Sequence, residues 1–271
     1  MQTFGYKIVD KSHEEIGPVV SAAIGQQRPL EVGLYFGNPA AWELIRSSLR
    51  EASVPIPVST HLDHQRLSLF HLAGMEGQLH QQITQAQEIG STYSITHIHN
   101  RPTSQRPAHR KALAEYLTRQ LQVLEAVCAE RQHPIHIENT YHNLEFYRWF
   151  FDLVERLELR HIHHCFDIGH AKIWSLEKLP QWFLWLRELA DRGFRIHFHL
   201  HANNGLEDQH LSFVETEATG MNRADSYTLK WDYFEVMAEL REHFPDSRKV
   251  FEVKPRQALE NMALVMGRLG R

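Results

Sequence analysis

Cysteine is scarce in this 271-residue chain, with Cys128 and Cys165 the only two. Two thiols cannot build a disulfide framework, which points to a reducing compartment. The first residues, MQTFGYKIVDKSHEE, lack the apolar core of a secretory signal, so a cytoplasmic location is expected. Long hydrophobic runs are missing too. Trp182–Ala190 (WFLWLRELA) meets charge at Arg187, far short of the roughly 18 to 20 apolar residues a membrane span requires, and no membrane partner is expected. A cationic excess is also lacking. With 29 basic and 33 acidic residues the formal charge is -4, which removes the bulk attraction that makes phosphate-backbone binding easy. No G-x-G-x-x-G or G-x-x-x-x-G-K-[ST] loop follows a strand-like run, so nucleotide folds lose their main support. No proline- or serine-rich linker, repeat or low-complexity tract divides the sequence, and a single domain over residues 1–271 is expected.

Histidine is what the chain has in excess: 20 residues against 14 glycines. The densest stretch is Arg195–His210, RIHFHLHANNGLEDQH. A strand points successive side chains to opposite faces, so His197, His199 and His201 share one face while Ile196, Phe198 and Leu200 share the other. One face suits packing, and the other suits coordination or titration.

Eight short runs rich in β-branched or aromatic residues alternate with longer runs of helical period. The strand candidates are TFGYKIV, LEVGLYF, VPIPVSTHL, TYSITHIH, HPIHIENT, HIHHCFDI, FRIHFHLH and RKVFEVKP. Helical candidates between them include PAAWELIRSSLREA, HRKALAEYLTRQLQVLEAVCAERQ, LEFYRWFFDLVERLE, LEKLPQWFLWLRELADRG and YFEVMAELREHF, and RQALENMALVMGRL follows at the carboxyl end. This alternation predicts an α/β protein with a parallel sheet. A single eight-stranded (β/α)8 TIM barrel accounts for it better than an open doubly wound sheet.

In such a barrel the active site lies at the carboxyl ends of the strands. The sequence places ionisable residues there repeatedly: His61 on strand three, His97 or His99 on strand four, Glu138 on strand five, Asp167 and His170 on strand six, His199 or His201 on strand seven, and Glu252 on strand eight. Ile135 and Ile137 flank Glu138, and Phe251 and Val253 flank Glu252, so alternation turns both carboxylates inward. Converging carboxylates and imidazoles repel or stay poorly satisfied unless a cation organises them. Each residue also has a structural reading. Asp167 with His170 is a helix cap, Glu252 pairs with a basic neighbour such as Lys254, and His136, His161, His163 and His164 are hydrogen-bonded core or rim residues.

The motifs IENT, CFDIGH, HLHANNGLEDQH and FEVKP, in this order and spacing, resemble those of the xylose-isomerase-like barrels. That family includes sugar and sugar-phosphate isomerases and epimerases and the metal-dependent apurinic endonucleases. The resemblance spans strands three to eight and is weak over the first 50 residues. It implies a core metal site of Glu138, Asp167, His199 and Glu252. Further ligands implied by the endonuclease branch are His61, His97, His170, Asp208 and His210, for one to three divalent ions (Zn, Mn, Mg, Co or Fe). Two departures stand out: Ala202 occupies a position where many relatives carry an acid, and HLSFVETEATG replaces a glycine-rich continuation, which implies a remodelled loop after His210.

The resemblance implies a divalent-metal-dependent isomerase or epimerase of a sugar-like polyhydroxy carbonyl compound. Glu138 and Glu252 would move a proton through a metal-stabilised enediolate, and His170 would orient a hydroxyl. The alternative is a multinuclear zinc phosphoesterase resembling the endonucleases, under which nucleic acid becomes a possible substrate. A non-enzymatic metal-binding scaffold is the third reading. Tyr35, Trp174, His201 and Lys254 are substrate-contact candidates, Lys172 and Arg101 are phosphate candidates, and Asn139 and Asn203 are candidates to orient ligands. An oligomer is compatible with all of these.

Overall fold

The computed structural model describes residues 2–99, 106–219 and 232–270. The chain begins β1 (Phe4–Val9), α1 (His13–Gly25), β2 (Leu30–Gly33), α2 (Pro39–Glu51), β3 (Val58–His61), α3 (Glu76–Glu88), β4 (Ser91–His97), α4 (Pro107–Arg131), β5 (Ile135–Glu138) and α5 (Leu144–Arg156). It continues β6 (Ile162–Asp167), α6 (Ile168–Trp174), α7 (Leu179–Asp191), β7 (Ile196–Leu200), α8 (Phe213–Thr219), α9 (Tyr233–His243), β8 (Lys249–Phe251) and α10 (Pro255–Leu269). The strands close in sequence order, β1 to β8 and back to β1, and every pairing is parallel. The expected (β/α)8 TIM barrel is the observed fold.

Every strand is shorter than the apolar run that signalled it, because the chain turns once its side chains reach the rim. After β2 the Asp10 carboxylate accepts hydrogen bonds from the backbone N–H groups of Tyr35, Phe36 and Gly37 at 2.9, 2.7 and 2.7 Å. Tyr35 therefore belongs to a loop rather than to the strand. Its ring folds back over Gly33, where an added Cβ would stand 2.5 Å from Tyr35 Cε2. Asn38 then caps α2 by accepting from the N–H of Ala40 and Ala41 at 3.0 and 3.3 Å.

Strand alternation partitions the interior into two compartments. The larger apolar core lies between the strands and the helices, and includes Ile135, Ile137, Phe166 and Phe198 facing Phe150, Phe151, Trp182 and Leu186. Inside the barrel the described residues form only a small apolar cluster, Tyr93, Ile95 and Cys165. Much of the remaining interior is therefore polar, and that is what positions a site. His164 illustrates the outer layer: it packs against Phe151 and Trp185 at ring-centre distances of 5.1 and 5.2 Å, and its Nδ1–H donates to the Ile137 carbonyl at 2.9 Å. His161 pairs with Glu125 at 2.8 Å, His163 meets Arg195, and the His136 Nδ1–H donates to the His164 carbonyl. These four histidines have the core and rim roles expected of them.

Phe151 is fully buried and sits edge-on to Phe150 and Phe194, both with ring centres 5.3 Å away. Truncating such a residue removes transfer free energy and leaves a cavity. Phe151→Ala should lower the unfolding free energy by about 3–5 kcal/mol, measured by denaturant titration. A loss below about 1 kcal/mol would contradict the core described here.

Candidate active site at the carboxyl rim

Four side chains from four different strand ends converge at the rim. Glu138 and Asp167 are the last residues of β5 and β6, His199 lies in β7, and Glu252 directly follows β8. The register sets Asp167 beside His199 and Glu138 beside His97. Each of the four offers one ligand atom, and these atoms all lie within 4.8 Å of one another. His199 Nδ1 is 2.7 Å from Glu252 Oε2, 3.1 Å from Glu138 Oε2 and 3.9 Å from Asp167 Oδ2. Separations near 3 Å match the edge of a coordination shell built from bonds of about 2.0–2.2 Å. Among the described residues, Glu138 Oε1, Asp167 Oδ2, His199 Nδ1 and Glu252 Oε2 are buried without a well-directed hydrogen bond. Every member of the tetrad thus keeps an unsatisfied atom, which fits a divalent cation.

Two further groups flank this tetrad. On one side His61 Nε2 and His97 Nε2 approach the same oxygen, Glu138 Oε2, at 3.1 and 3.2 Å. His64 completes a group of three imidazoles with them and stacks on His97 at 4.0 Å. On the other side His170, His201, Asp208 and His210 form a second group. The Asp208 oxygens are 3.1 Å from His170 Nε2 and 3.2 Å from His210 Nε2, and His201 Nε2 is 3.0 Å from Asp167 Oδ1.

Second contacts fix the tautomers of the rim histidines. His61 Nδ1–H donates to the Leu62 carbonyl at 2.9 Å, His170 Nδ1–H to that of Asn139 at 3.0 Å, and His210 Nδ1–H to that of Glu252 at 3.0 Å. A carbonyl only accepts, so in His61 and His210 Nε2 is the nitrogen left to face the nearest carboxylates, the arrangement usual for metal-binding histidines, whereas His170 turns Nε2 to Asp208 and also keeps Nδ1 2.9 Å from Glu138 Oε1. His210 adopts φ 48°, a conformation uncommon outside glycine and often found at functional sites. It is held there by a bridge of two backbone hydrogen bonds between Ala202 and Leu211, at 2.9 and 2.8 Å. That bridge folds residues 203–210 back over the barrel and returns Asp208 and His210 to the rim. Ala202, the departure from the family pattern, is the anchor of this loop. Residues 220–231 of the segment beyond it lie outside the described residues.

A cavity of about 510 Å³ opens above the groups, lined by residues that include Tyr35, Phe36, His64, Gln65, His97, Tyr141, His170, Trp174, Asp208, His210 and Glu252. Tyr35 and Trp174 are thus both part of the cavity wall. His201 does not line it: this residue is fully buried against Asp167, so direct substrate contact gives way to a position within the ligand groups. Lys254 is exposed at the amino end of α10 and absent from that lining. Glu252 pairs instead with Lys7. Lys172 is buried and donates to the Asn203 carbonyl at 3.0 Å, and Arg101 lies outside the described residues. His99 Nε2–H donates to the His64 carbonyl at 2.8 Å, leaving His97 as the strand-four histidine beside Glu138. Asp167 does cap α6, accepting from the His170 N–H at 2.7 Å, while Asn139 clasps the Asp167 backbone by two hydrogen bonds, at 2.7 and 2.8 Å. Capping and site membership coexist in one carboxylate.

No protein-family model matches the chain, and no curated protein matches it. Solved structures match over almost its whole length. The TTHB071 protein from Thermus thermophilus, in a structure described as soaked with ZnCl2, is 20% identical with a TM-score of 0.68, covering 99% of this chain and 98% of its own. A D-tagatose 3-epimerase-like protein is 16% identical with a TM-score of 0.70 over 99% and 97%. A xylose isomerase domain protein from Planctomyces limnophilus is 14% identical with a TM-score of 0.64 over 98% and 96%. The fold is that of the xylose-isomerase-like barrels.

In this barrel the electrostatics of the rim are set by burial against mutual attraction. Burial alone would raise Glu138, but the imidazoles of His97, His199 and His170 hold it well below the usual carboxylate range. Burial works against charge on His170 and His199 as well; Asp167 and Asp208 outweigh it at His170, as Glu31 and Glu252 do at His199, and both sit well above an ordinary histidine. Burial pushes His61 down to about 4 and His64 to about 2, so these two are neutral. His210 is raised to about 9, burial being outweighed by Asp208 and Glu252. In the ion-free protein, protons thus occupy nitrogens that a cation would need.

The sign of the resulting pH dependence follows. Protonated His210 stabilises the ion-free fold fully below its unfolded value of about 6.5, and this contribution is lost as pH rises through about 9. Cation uptake runs the other way, because each imidazole that binds must first release its proton. Apparent zinc affinity should therefore rise with pH from about 6.5 through about 9, the range over which His210 gives up its proton. Calorimetry in buffers of different ionisation enthalpy should show proton release on binding, and a flat affinity between pH 6.5 and 9 would contradict the assignment.

Proposed function

We propose that this chain is a divalent-metal-dependent enzyme that isomerises or epimerises a sugar-like polyhydroxy carbonyl compound at the barrel rim. The observation that carries the reading is the convergence of Glu138, Asp167, His199 and Glu252, each with a buried atom left unsatisfied among the described residues. The sugar-epimerase and isomerase names of its structural neighbours support the substrate class by analogy of fold. A cation held there, whether Zn, Mn, Mg, Co or Fe, would supply Lewis acidity to adjacent carbonyl and hydroxyl oxygens.

The chain's own groups divide the remaining work. Glu252 lines the cavity and is the carboxylate placed to take a proton from a substrate carbon. Glu138 is fully buried behind His61, His97 and His170, so the proton-transfer role expected for it becomes a ligand role in this proposal. His170, also on the cavity wall, orients a substrate hydroxyl, and Tyr35 and Trp174 offer ring faces to the carbon skeleton.

One observation favours a second reading. Glu138 is shared between the tetrad and the His61–His97 side, and Asp167 Oδ1 reaches His201 of the other group. Shared carboxylates suit a cluster of two or three ions, the arrangement of multinuclear phosphoester hydrolases. Elemental analysis of protein purified without chelator separates the two. One equivalent, retained in His210→Ala, with solvent deuterium appearing at a substrate carbon, is the outcome expected for an isomerase. Two or three equivalents, one of them lost in His210→Ala together with hydrolysis of a phosphate ester, would establish the second reading. Glu138→Ala should strip the tetrad ion under both. Wild-type protein with no tightly held divalent ion would refute both.

A further inference from the structure

One layer below the rim, the barrel interior holds a charged group that the site described above does not use. Lys7 of β1 and Glu31 of β2 are paired in register, and His197 lies two residues before His199 on β7. Glu31 and His197 are fully buried and Lys7 is 4% exposed. The His199 Nε2 nitrogen lies 2.9 Å from Glu31 Oε1 and 3.1 Å from its Oε2, and His197 Nε2 lies 3.0 Å from Oε2. The Lys7 ammonium is 3.4 Å from Glu31 Oε1 and also contacts Glu252 Oε1. The second nitrogen of His197 meets the Tyr93 hydroxyl at 2.8 Å.

These contacts share one geometric feature. In His199 the nitrogen held by Glu31 is Nε2, and the nitrogen facing Glu138 and Glu252 is Nδ1. In Glu252 the oxygen held by Lys7 is Oε1, and the one 2.7 Å from His199 Nδ1 is Oε2. His199 Nδ1 and Glu252 Oε2 are both buried without a well-directed hydrogen bond, as are Glu31 Oε1 and His197 Nε2 of the layer beneath. We propose that Glu31 and Lys7 are positioning residues for the ligand tetrad: Glu31 presents the His199 Nδ1 lone pair, and Lys7 presents Glu252 Oε2. The proposal rests on the metal-binding reading of the rim.

Stability alone is a weak reason for this network. A buried ion pair often contributes no more than well-packed apolar residues of similar volume, because desolvating both charges offsets their attraction. Orientation is a better one. A histidine that gives its far N–H to a carboxylate is locked in one tautomer and one ring direction, and its free nitrogen becomes more basic. Glu31 is already engaged by two imidazoles and an ammonium on the far side of the His199 ring, so it acts through His199 rather than as a ligand.

The test uses the full chain as wild type, Glu31→Gln, Glu31→Ala and Lys7→Met, each stripped of metal. Zinc chloride is titrated against a chromophoric chelator, and cobalt(II) is added separately as a spectroscopic probe. Glu31→Gln keeps a carbonyl oxygen that accepts the Nε2–H but loses the charge. It should weaken the tightest zinc site about 10-fold, Glu31→Ala about 100-fold, and Lys7→Met within the same range. The visible spectrum of bound cobalt should shift in all three. A merely structural role would lower the thermal midpoint and leave zinc affinity and the cobalt spectrum as in wild type; that result in Glu31→Gln, whose near-isosteric side chain keeps the packing, would overturn the proposal. If wild type itself binds neither ion, the metal reading fails first and takes this inference with it.

Discussion

The barrel rim depends on the neutralisation of carboxylates that the fold forces together. Glu31, Glu138 and Asp167 are fully buried, and Glu252 is 16% exposed beside them. Isolated, each would be driven toward its neutral form. Lys7, His170 and His199 supply opposing charge, and the neutral imidazoles of His61 and His64 fill positions where more positive charge would have to be accommodated. The histidines of the rim meet this requirement: imidazole is the side chain that can change charge, donate to a backbone carbonyl and still present a lone pair.

Parallel strands impose this crowding geometrically. In a closed barrel alternate residues of all eight strands face one axis, so polar residues at strand ends meet although they are far apart in the chain. Glu31 and His199 are 168 positions apart, and Lys7 and Glu252 are 245 apart. The outer compartment carries the apolar packing almost alone, with Tyr93, Ile95 and Cys165 a small inner remnant. This division frees the inner face for ionisable groups.

Much of this could be read from the sequence because period-2 alternation and strand endings are local signals. Glu138, Asp167 and Glu252 stand out as ionisable residues closing apolar runs, the family resemblance selects His199 over His201, and the structure brings the four side chains together. Glu31 and Lys7 carried a fainter version of the same signal: a charge between Leu30 and Val32, and another between Tyr6 and Ile8. Both lie early in the chain, where the family resemblance was weak, and neither ends its run. His64 comes from a loop whose path depends on Asp63 accepting from the N–H of Gln65 at 3.0 Å, which no strand period predicts. Lys254, expected to contact substrate, is the N-cap residue of α10, just before Pro255, with its side chain exposed and absent from the cavity lining. His201 shares the inward phase of His199, yet the next turn buries it. An Ala side chain at residue 169 would collide with it, since a Cβ there would stand 2.0 Å from His201 Cε1.

The same contacts hold the rim side chains through the scaffold itself. Nδ1–H donation by His61, His170 and His210 goes to backbone carbonyls of the rim itself, so ring orientation is written into the scaffold. Raised proton affinity at His170 and His210 favours a proton between each Nε2 and the Asp208 carboxylate. Exchanging those protons for cations requires little rearrangement, because the nitrogen–oxygen separations already resemble the edges of a coordination shell. The structure therefore couples two demands that usually conflict: a buried polar interior that remains satisfied in the folded chain, and unsatisfied atoms aimed at a common point. It meets both at His61, His210, Asp167, His199 and Glu252, where one atom of the side chain meets the scaffold and another faces the site.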